Sequence, residues 1–235
     1  KGFENMTQED MALPFVRILG QLSPQVTDGD AKYIDGAKPG MIYNTVTSEC
    51  FDGKKGIKVI PCYYKKDFPE WSDRGDGPGA PVAVHLPNSP VIQTGKRDGS
   101  KIRLPNGNYL EETASYYVLV ETKAGGMTPA LISMKSTQLN VSKKWNSMMK
   151  TIQIPDGKGG MAIPPMHGVV YNLQSVLQKN DKGSWYGWSV TQDRIMGQED
   201  KSLYLTAKDF NSTAAKGNVQ TKADVEEKAK DSTPY

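Results

Sequence analysis

Aromatic and basic residues are interleaved in one short stretch of the chain, residues 63–74. Cationic side chains can follow the phosphates of a single-stranded nucleic acid while flat rings stack on its unpaired bases, at roughly 1 to 3 kcal/mol per stacked base. This combination predicts a nucleic-acid-binding surface. The candidate binding residues of this stretch are Tyr64, Lys65, Lys66, Phe68, Trp71 and Arg74.

Two further places in the sequence combine the same residue types. Trp185 and Trp188 lie in a strand-like stretch that runs toward Arg194. Lys143 and Lys144 directly precede a tryptophan in the most helix-like stretch of the chain. We therefore add the two tryptophans as candidate stacking residues and the two lysines as candidate phosphate ligands.

Each of these patterns also fits an ordinary structural role. Aromatic residues in strands commonly serve as core residues or cross-strand partners. Neighbours along a strand point to opposite faces, so one of Tyr63 and Tyr64 can be core while the other meets solvent or ligand. Lys143 and Lys144 equally fit a solvated helix face with Trp145 in the core.

Catalytic and metal-binding motifs are missing from the sequence. It contains no nucleophile elbow, no Walker lysine loop, no HExxH and no CxxC. The two histidines, His85 and His167, are far apart in sequence. The glycine-rich stretch 156–160 and the acidic stretch 28–30 fit turns better than a phosphate or cation site. We expect a protein that binds rather than catalyses, with no catalytic residue, metal or cofactor.

Composition limits the partners and the compartment. The 235 residues carry 29 basic and 26 acidic side chains, for a net charge of +3, so a polyanion must be bound by a local basic site. Cys50 and Cys62 lie in strand-like stretches and indicate small core residues of a reducing compartment, with a disulfide as the alternative. The chain has no apolar run of membrane-spanning length, so no membrane partner is expected.

The pattern along the chain predicts three segments. Residues 1–40 read as an N-terminal helical segment and loop, with one helix capped by Thr7 and a second beginning at Pro14. Residues 41–205 read as a β-rich core domain. Residues 206–235 have the composition of a solvated polar tail.

Within the core domain the hydrophobic periodicity and the turn residues locate the elements. A helix capped by Ser136 is expected over residues 137–152. A long Gly/Pro-rich excursion is expected from Arg74 to Asn108, with short strands at 82–85 and 102–104. The other strands are expected at residues 41–46, 57–66, 114–122, 130–134, 168–178 and 184–191.

Five stretches of the sequence are characteristic: Gly2 to Asn5, Leu22 to Val26, Pro39 to Thr47, Ile57 to Trp71 and Ala130 to Met149. They resemble a family of tailed-bacteriophage proteins common in marine podovirus-like genomes, and the resemblance extends over most of residues 2–200. Some members of that family resemble T7-type single-stranded DNA-binding proteins. The resemblance implies an α+β, β-rich fold: an OB-like barrel or antiparallel sheet with one packed helix and long loops. Its strands would be those near residues 41, 57, 114, 130, 169 and 185.

The resemblance also implies a function. The expected protein is a non-catalytic, single-stranded DNA-binding protein of a phage that acts in replication or recombination in the cytoplasm of the infected bacterium. Its expected partners are single-stranded DNA, further copies of itself and phage replication proteins. The T7-type proteins carry a strongly acidic C-terminal tail, whereas the tail here is charge-balanced. The alternative is a structural or assembly protein of the virion that self-associates through its tail.

Overall fold

The computed structural model describes residue 2 and residues 12–73, 80–181 and 183–217. Its helices are α1 (Val91–Thr94), α2 (Leu139–Thr151) and α3 (Lys201–Ala215), and short 3-10 turns lie at Pro24–Val26, Ser136–Gln138, Met166–Gly168 and Gln198–Asp200. The strands are β1 (Val16–Ile18), β2 (Ile42–Asn44), β3 (Cys50–Phe51), β4 (Ile57–Trp71), β5 (Ala83–His85), β6 (Lys96–Asp98), β7 (Lys101–Arg103), β8 (Tyr109–Glu111), β9 (Thr113–Glu121), β10 (Met127–Lys135), β11 (Ile154–Pro155), β12 (Met161–Ala162), β13 (Val169–Asn180) and β14 (Gly183–Ile195).

Five antiparallel strands form the main sheet, in the order β14-β13-β4-β9-β10. The sheet curls into a half-barrel. The pairing of β4 with β9 shifts between Pro61 and Tyr63, and such a bulge bends a strand and increases its twist. The predicted fold class, an α+β and β-rich protein with an OB-like barrel or antiparallel sheet, is confirmed.

The inner face of the half-barrel is filled by aromatic side chains and closed by α2. Trp145 of α2 is fully buried. Its ring stacks on Tyr116 of β9 with centroids 4.3 Å apart, and it meets Tyr171 of β13 edge-on at 5.6 Å. The buried Tyr116 hydroxyl lies 2.7 Å from the Ser142 hydroxyl and donates to Asn146 Oδ1 at 2.9 Å. Helix α2 is therefore fixed both by ring packing and by satisfied polar groups.

The outer face of the main sheet is covered by α3. Ala207 and Phe210 of this helix pack against Ile60 and Cys62 of β4. The Asn211 side chain donates a hydrogen bond to the Cys62 carbonyl, beside the bulge. Both cysteines are free thiols, and burial raises the pKa of Cys62 to about 12.

The prediction of a polar tail beginning at residue 206 is wrong for the residues that continue α3. Leu203, Ala207, Phe210 and Ala214 recur at helical spacing and form the face that packs on the sheet. Two of these four are alanines in a setting of Lys, Thr and Asp, so the apolar stripe is weak in the sequence. Residues 218–235 lie outside the described residues.

A separate three-stranded sheet, β1-β2-β3, contains the N-terminal part of the chain that the structure describes. The helix predicted from Pro14 is wrong, because Val16 pairs with Asn44 and Ile18 with Ile42 in an antiparallel ladder. The strand predicted near residue 41 is β2, so it belongs to this sheet and not to the half-barrel. The helix predicted at Thr7 lies outside the described residues.

The helix predicted over residues 137–152 is confirmed as α2, but its start differs from the prediction. Ser136 was expected to cap it. Instead Ser136 adopts φ 52° at the beginning of a 3-10 turn, and no side-chain cap precedes Leu139.

The far end of β4 enters a second group of strands in the order β5-β4-β8-β7-β6, which we call the distal sheet. It lies largely within the excursion predicted from residue 74 to 108. The strands predicted at 82–85 and 102–104 correspond to β5 and β7, whereas α1, β6 and β8 were not predicted. One side of the distal sheet has a small core of its own: Phe68, Ile102, Leu104 and Leu110, packed by Val91 and Ile92.

Candidate nucleic-acid interface

Two of the predicted stacking residues are core residues. Phe68 is 6% exposed and lies in the core of the distal sheet, and Trp188 is 5% exposed and lies inside the half-barrel. Their rings are occupied by apolar neighbours, so neither offers a free face to a base in this conformation. We therefore leave both out of the candidate interface.

The two predicted lysines of β4 are engaged with carboxylates. Lys65 Nζ lies 3.0 Å from Asp67 Oδ2, and Lys66 Nζ lies 2.6 Å from Glu112 Oε1. Burial lowers the pKa of Lys65, but the hydrogen bond and charge of Asp67 outweigh it, so the net shift is upward. Their positive charges are therefore largely offset before any phosphate arrives.

Tyr64 lies on the inner side of the main sheet, and the two predicted lysines lie on α2, the helix that closes this side. The Tyr64 ring packs on Tyr116 at 5.1 Å, and Tyr116 in turn bonds to α2. The neighbouring Tyr63 packs on Tyr117 instead, so the two adjacent tyrosines have different ring partners. Lys143 and Lys144 are exposed on α2, as the solvated-face interpretation expects.

Trp185 and Arg74 complete the predicted set. Trp185 is half-buried, and its ring lines a shallow surface pocket of about 430 Å³ together with Ser136 and Thr137. Arg74 lies outside the described residues. The structure thus spreads the predicted residues over the middle and the C-terminal end of β4, helix α2 and β14, and it does not gather them into one site.

Among the predicted stacking residues, Trp71 lies on a face of the distal sheet that also carries another aromatic residue and several basic residues. It lies directly opposite Tyr109 of β8, Tyr109 lies opposite Arg103 of β7, and Arg103 lies opposite Lys96 of β6. Directly paired residues project from the same face of a sheet. The four side chains therefore form one row across the distal sheet, and Lys101, two residues before Arg103, shares its face.

The same face continues onto β5. Pro69 lies opposite Val84, and Val84 and the nearby Val82 are 52% and 57% exposed. We call this side of the distal sheet the open face. It consists of Pro69, Trp71, Val82, Val84, Lys96, Lys101, Arg103 and Tyr109. Exposed apolar side chains beside aromatic and basic ones are typical of a binding surface.

Cations surround the Tyr109 ring. Lys101 Nζ lies 3.5 Å from the ring centroid and Arg103 Cζ lies 5.6 Å from it. Arg103 also pairs with Asp73 at 2.8 Å and with Asp98 at 3.4 Å. The two carboxylates offset the charge of Arg103. A third carboxylate, Glu111, lies directly opposite Lys101 on the same face and pairs with Lys135. The face therefore offers a ring for stacking, with the cations Lys96 and Lys101 and several carboxylates beside it.

Trp71 contributes its ring rather than its polar atom. The residue is half-buried, and its indole N–H is buried without an acceptor among the described residues. A ligand on the open face would therefore contact the ring surface, as a stacked base does.

The opposite side of β4 holds the distal sheet in place through Glu70. This carboxylate is 7% exposed. It lies 2.7 Å from His85 Nε2 and accepts from Asn106 Nδ2 at 3.1 Å and from Asn108 Nδ2 at 2.6 Å. The bond from Asn108, followed by those from His85 and Asn106, lowers the pKa of Glu70 against the effect of burial. One buried side chain thus joins β4, β5 and the loop that precedes β8.

Sequence reasoning missed most of the open face. Lys96, Lys101 and Arg103 fall in the excursion predicted from Arg74 to Asn108, Arg103 in its predicted short strand at 102–104. Tyr109 directly follows that excursion. None of the four was a candidate site residue. A usable signal is present: Gly99-Ser100, with Gly99 at φ 59°, is the two-residue turn between Asp98 and Lys101, which pair across the hairpin. A Gly-Ser pair between two short strand-like runs is a local sign of a hairpin.

No group of His, Cys, Asp and Glu side chains in the described ranges could hold a metal ion. Across residues 12–73, 80–181 and 183–217, no helix has the length and apolar character needed to span a membrane.

Comparison with known proteins gives one match. The model of a protein family described as "Pam3 phage gp34-like protein" matches residues 1–220. No curated protein and no solved structure matches the chain.

Proposed function

The chain belongs to the family of Pam3 phage gp34-like proteins, and from this premise we propose that it is a non-catalytic phage protein that binds single-stranded DNA on the open face. The observation that carries the proposal is the row formed by Trp71, Tyr109, Arg103 and Lys96. Such a row combines stacking rings with phosphate ligands. The proposal includes action in replication or recombination in the infected cell, with further copies of the chain and phage replication proteins as partners.

Single strands suit this face better than duplex DNA does. The aromatic rings lie on a sheet, where they can stack on bases that are not already paired and stacked. Reading a duplex instead requires an element that enters a groove. We expect the affinity for a single strand to exceed that for the matching duplex.

The charges of the open face set the expected salt dependence. Lys96, Lys101 and Arg103 supply the cations, and Asp73, Asp98 and Glu111 offset part of their charge. For single strands, the logarithm of the affinity falls by about 0.7 per phosphate neutralised for each tenfold rise in salt. With one to three phosphates neutralised, we expect a slope of roughly 0.7 to 2.

The test is a fluorescence-anisotropy titration of labelled oligo-dT and of the matching duplex, at low and at physiological salt. Trp71→Ala and Tyr109→Ala should each weaken oligo-dT binding roughly five- to a hundredfold, the loss of one stacked base. Lys101→Ala should lower the salt slope by about 0.7. Lys201→Ala, an exposed lysine at the start of α3, is the matched control and should bind as the wild type does.

Two results contradict this proposal. One is the absence of oligo-dT binding at low salt by a protein whose circular dichroism shows that it is folded. The other is tight binding that persists in the Trp71, Tyr109 and Lys101 variants alike, because the strand would then lie elsewhere.

A structural or assembly role in the virion is the second candidate, and the hairpin of β13 and β14 favours it. β13 pairs with β4 only from Tyr171 to Leu173, whereas it pairs with β14 along its whole length. The remainder is a two-stranded ribbon on which Val176 is 39% and Leu177 is 61% exposed. Two exposed apolar side chains on an edge hairpin are a ready site for contact with another protein chain.

Self-association distinguishes this role from DNA binding. In sedimentation velocity the wild type should form oligomers that grow with concentration, and Leu177→Asp should reduce them to monomers. Lys179→Ala, on the same ribbon, should leave them intact. A wild type that stays monomeric at high concentration removes the support that the ribbon gives to the virion role.

A further inference from the structure

Helix α3 is held on the outer face of the half-barrel by side chains rather than by strand pairing. Ala207 and Phe210 pack on β4, and the Asn211 side chain bonds to the Cys62 carbonyl. The helix follows β14 and is the last element of the described chain, so it can leave the sheet without breaking a strand pair. An element docked in this way opens at a lower free-energy cost than the whole protein.

A buried histidine lies in the contact between α3 and the sheet. His167 belongs to the 3-10 turn that leads into β13, and it is 8% exposed. Its ring packs on Tyr204 of α3, with the centroids 5.1 Å apart. Both ring nitrogens are buried, and within the described part of the chain neither has a hydrogen-bond partner. The contact therefore suits the neutral imidazole and gives no acceptor to the two N–H groups of the charged form.

The surroundings of His167 on α3 disfavour its protonation. The helix presents Tyr204 and Lys208 to the ring. Burial lowers the pKa of His167 from its ordinary value of 6.5, and the positive charge of Lys208 lowers it further. A proton on the ring would place two cations side by side at the edge of an apolar contact.

The other elements beside the turn offer the ring no free buried carboxylate in the described ranges. The register of β13 on β4 brings residues 61–64 of β4 beside the turn, a stretch with one thiol and two phenols but no acidic side chain. The chain after β14 reaches the turn through the Met196 N–H, which donates to the Gly168 carbonyl. In that segment Glu199 is exposed, and the buried Asp200 already accepts from Arg194.

We propose that α3 is a pH-sensitive cover, which protonation of His167 in mild acid releases from the outer face of the half-barrel. A charged ring is costly to bury without an acceptor, whereas water solvates it once α3 has moved away. Release uncovers Ile60, Cys62 and Leu119, which form an apolar strip under the docked helix. The cover is independent of DNA binding on the open face, because that face belongs to the distal sheet.

The pH range of the release follows from the direction of the pKa shift. The pKa of His167 is lower with α3 docked than with the ring in water, so the docked state binds fewer protons. The stability of docking is therefore fully present above about pH 6.5 and falls as the pH drops below that value. For one proton, the ratio of released to docked protein rises by at most about tenfold per pH unit. Glu70, whose ordinary pKa is 4.5, titrates in a lower range.

Cys62 reports on the cover because its thiol is fully buried under α3. The test measures how fast 4,4′-dithiodipyridine modifies Cys62 in the full chain from pH 7.5 to pH 5.0, relative to free cysteine at the same pH. Peptide mass spectrometry separates Cys62 from Cys50, which lies on β3 and is the internal control. The protection of Cys62 should fall roughly five- to thirtyfold over this range, and that of Cys50 should stay constant.

Two substitutions assign the effect to the ring of His167. His167→Phe keeps a ring against Tyr204 but cannot be protonated, so Cys62 should stay protected at pH 5.0. Lys208→Gln removes the positive charge beside the ring, so the loss of protection in acid should shrink by about twofold or more. His85→Gln changes the other histidine of the chain and should leave the Cys62 profile as in the wild type.

Three results would overturn the proposal. One is a wild-type Cys62 whose protection is the same at pH 7.5 and pH 5.0. Another is a loss of protection in acid that persists in His167→Phe. The third is a parallel loss at Cys50, because the whole protein then unfolds rather than α3 alone. If His167→Phe does not fold, Lys208→Gln decides: a smaller loss than in the wild type supports the proposal, and an equal loss contradicts it.

Discussion

Replacing the buried carboxylate Glu70 by its neutral isostere tests whether one side chain holds the distal sheet together. Glu70→Gln keeps the shape of the side chain but places an N–H₂ group among three donors, from His85, Asn106 and Asn108. The two asparagine donors can share the remaining oxygen, whereas His85 Nε2 must either lose its acceptor or change tautomer and accept from the new amide. All three hydrogen bonds also lose the charge of the carboxylate. We expect the distal sheet to loosen, and the open face with it.

The size of the effect follows from the surroundings of the three donors. A hydrogen bond to a charged group contributes about 1.5 to 3 kcal/mol. The full sum is not expected, because Asn106 is exposed and His85 and Asn108 are half-buried, so water can replace part of the loss. We expect a destabilisation of about 2 to 4 kcal/mol, or a fall in Tm of roughly 4 to 16 °C for a chain of this size.

The stability that Glu70 contributes depends on pH. The pKa of Glu70 is lowered in the folded protein from its ordinary value of 4.5. Its contribution is therefore fully present above pH 4.5 and is lost as the pH falls from there through the lower folded value. Scanning calorimetry from pH 7 to pH 3 should show the Tm of the wild type approaching that of Glu70→Gln below pH 4.5.

Glu111→Gln is the matched control for Glu70→Gln. Glu111→Gln removes a carboxylate whose partner, Lys135, is exposed, and should cost no more than about 1 kcal/mol. Hydrogen exchange should show faster exchange in β5 and β8 of Glu70→Gln but not of Glu111→Gln. A Glu70→Gln protein that melts within 1 °C of the wild type at pH 7, or a Tm difference that stays constant into acid, would refute the reasoning.

Two further substitutions test the packing of the main sheet. Phe210→Ala should destabilise the protein by about 3 kcal/mol in urea unfolding, because it leaves a cavity under α3. Leu205→Ala should change the stability little, because Leu205 is 49% exposed on the same helix. Equal effects of the two substitutions would mean that α3 does not pack as described. Gly53→Ala should lower the Tm by the equivalent of about 1 to 3 kcal/mol and reduce the soluble yield, because the new methyl group would collide with the Gly40 carbonyl oxygen. Gly126→Ala, where the new methyl group has no contact closer than 3.7 Å, should be tolerated. A fully stable Gly53→Ala protein would contradict the close approach of Gly53 to Gly40.

The elements that the sequence predicted are those whose pattern is local. β9, β10, β13 and β14 follow runs of strand-forming residues bounded by turns. Helix α2 follows the recurrence of Leu139, Trp145 and Met149. In these segments local propensity and tertiary packing favour the same structure, which is the condition under which a pattern is informative.

The missed elements depend on partners far away in the chain. β1 is a strand because residues 42–44 pair with it, and no signal within residues 14–22 carries that information. α3 is a helix because Ala207 and Phe210 find an apolar surface on β4, although the surrounding composition is that of a linker.

The candidate site likewise depends on contacts that are distant in the chain. Residue type alone could not separate Phe68 and Trp188, which are core, from Trp71, whose ring borders the open face. The bulge after Pro61 also shifts the alternation within β4. Trp71 gains its significance only from the register that places Tyr109 and Arg103 beside it.

The contact between α3 and β4 also sets an order of events during translation. The Cys62 carbonyl is bonded by a side chain that is 149 residues further along the chain. At about 5 to 20 residues per second, the ribosome needs roughly 7 to 30 s to make that stretch. Throughout this interval Ile60, which is fully buried in the finished protein, has no helix to cover it. Leu119, also fully buried in the finished protein, is uncovered from the time it is made. The outer surface of the half-barrel is therefore covered only after α3 is made. A nascent chain interrupted before α3 exposes apolar residues of a β-sheet, which can associate with other nascent chains.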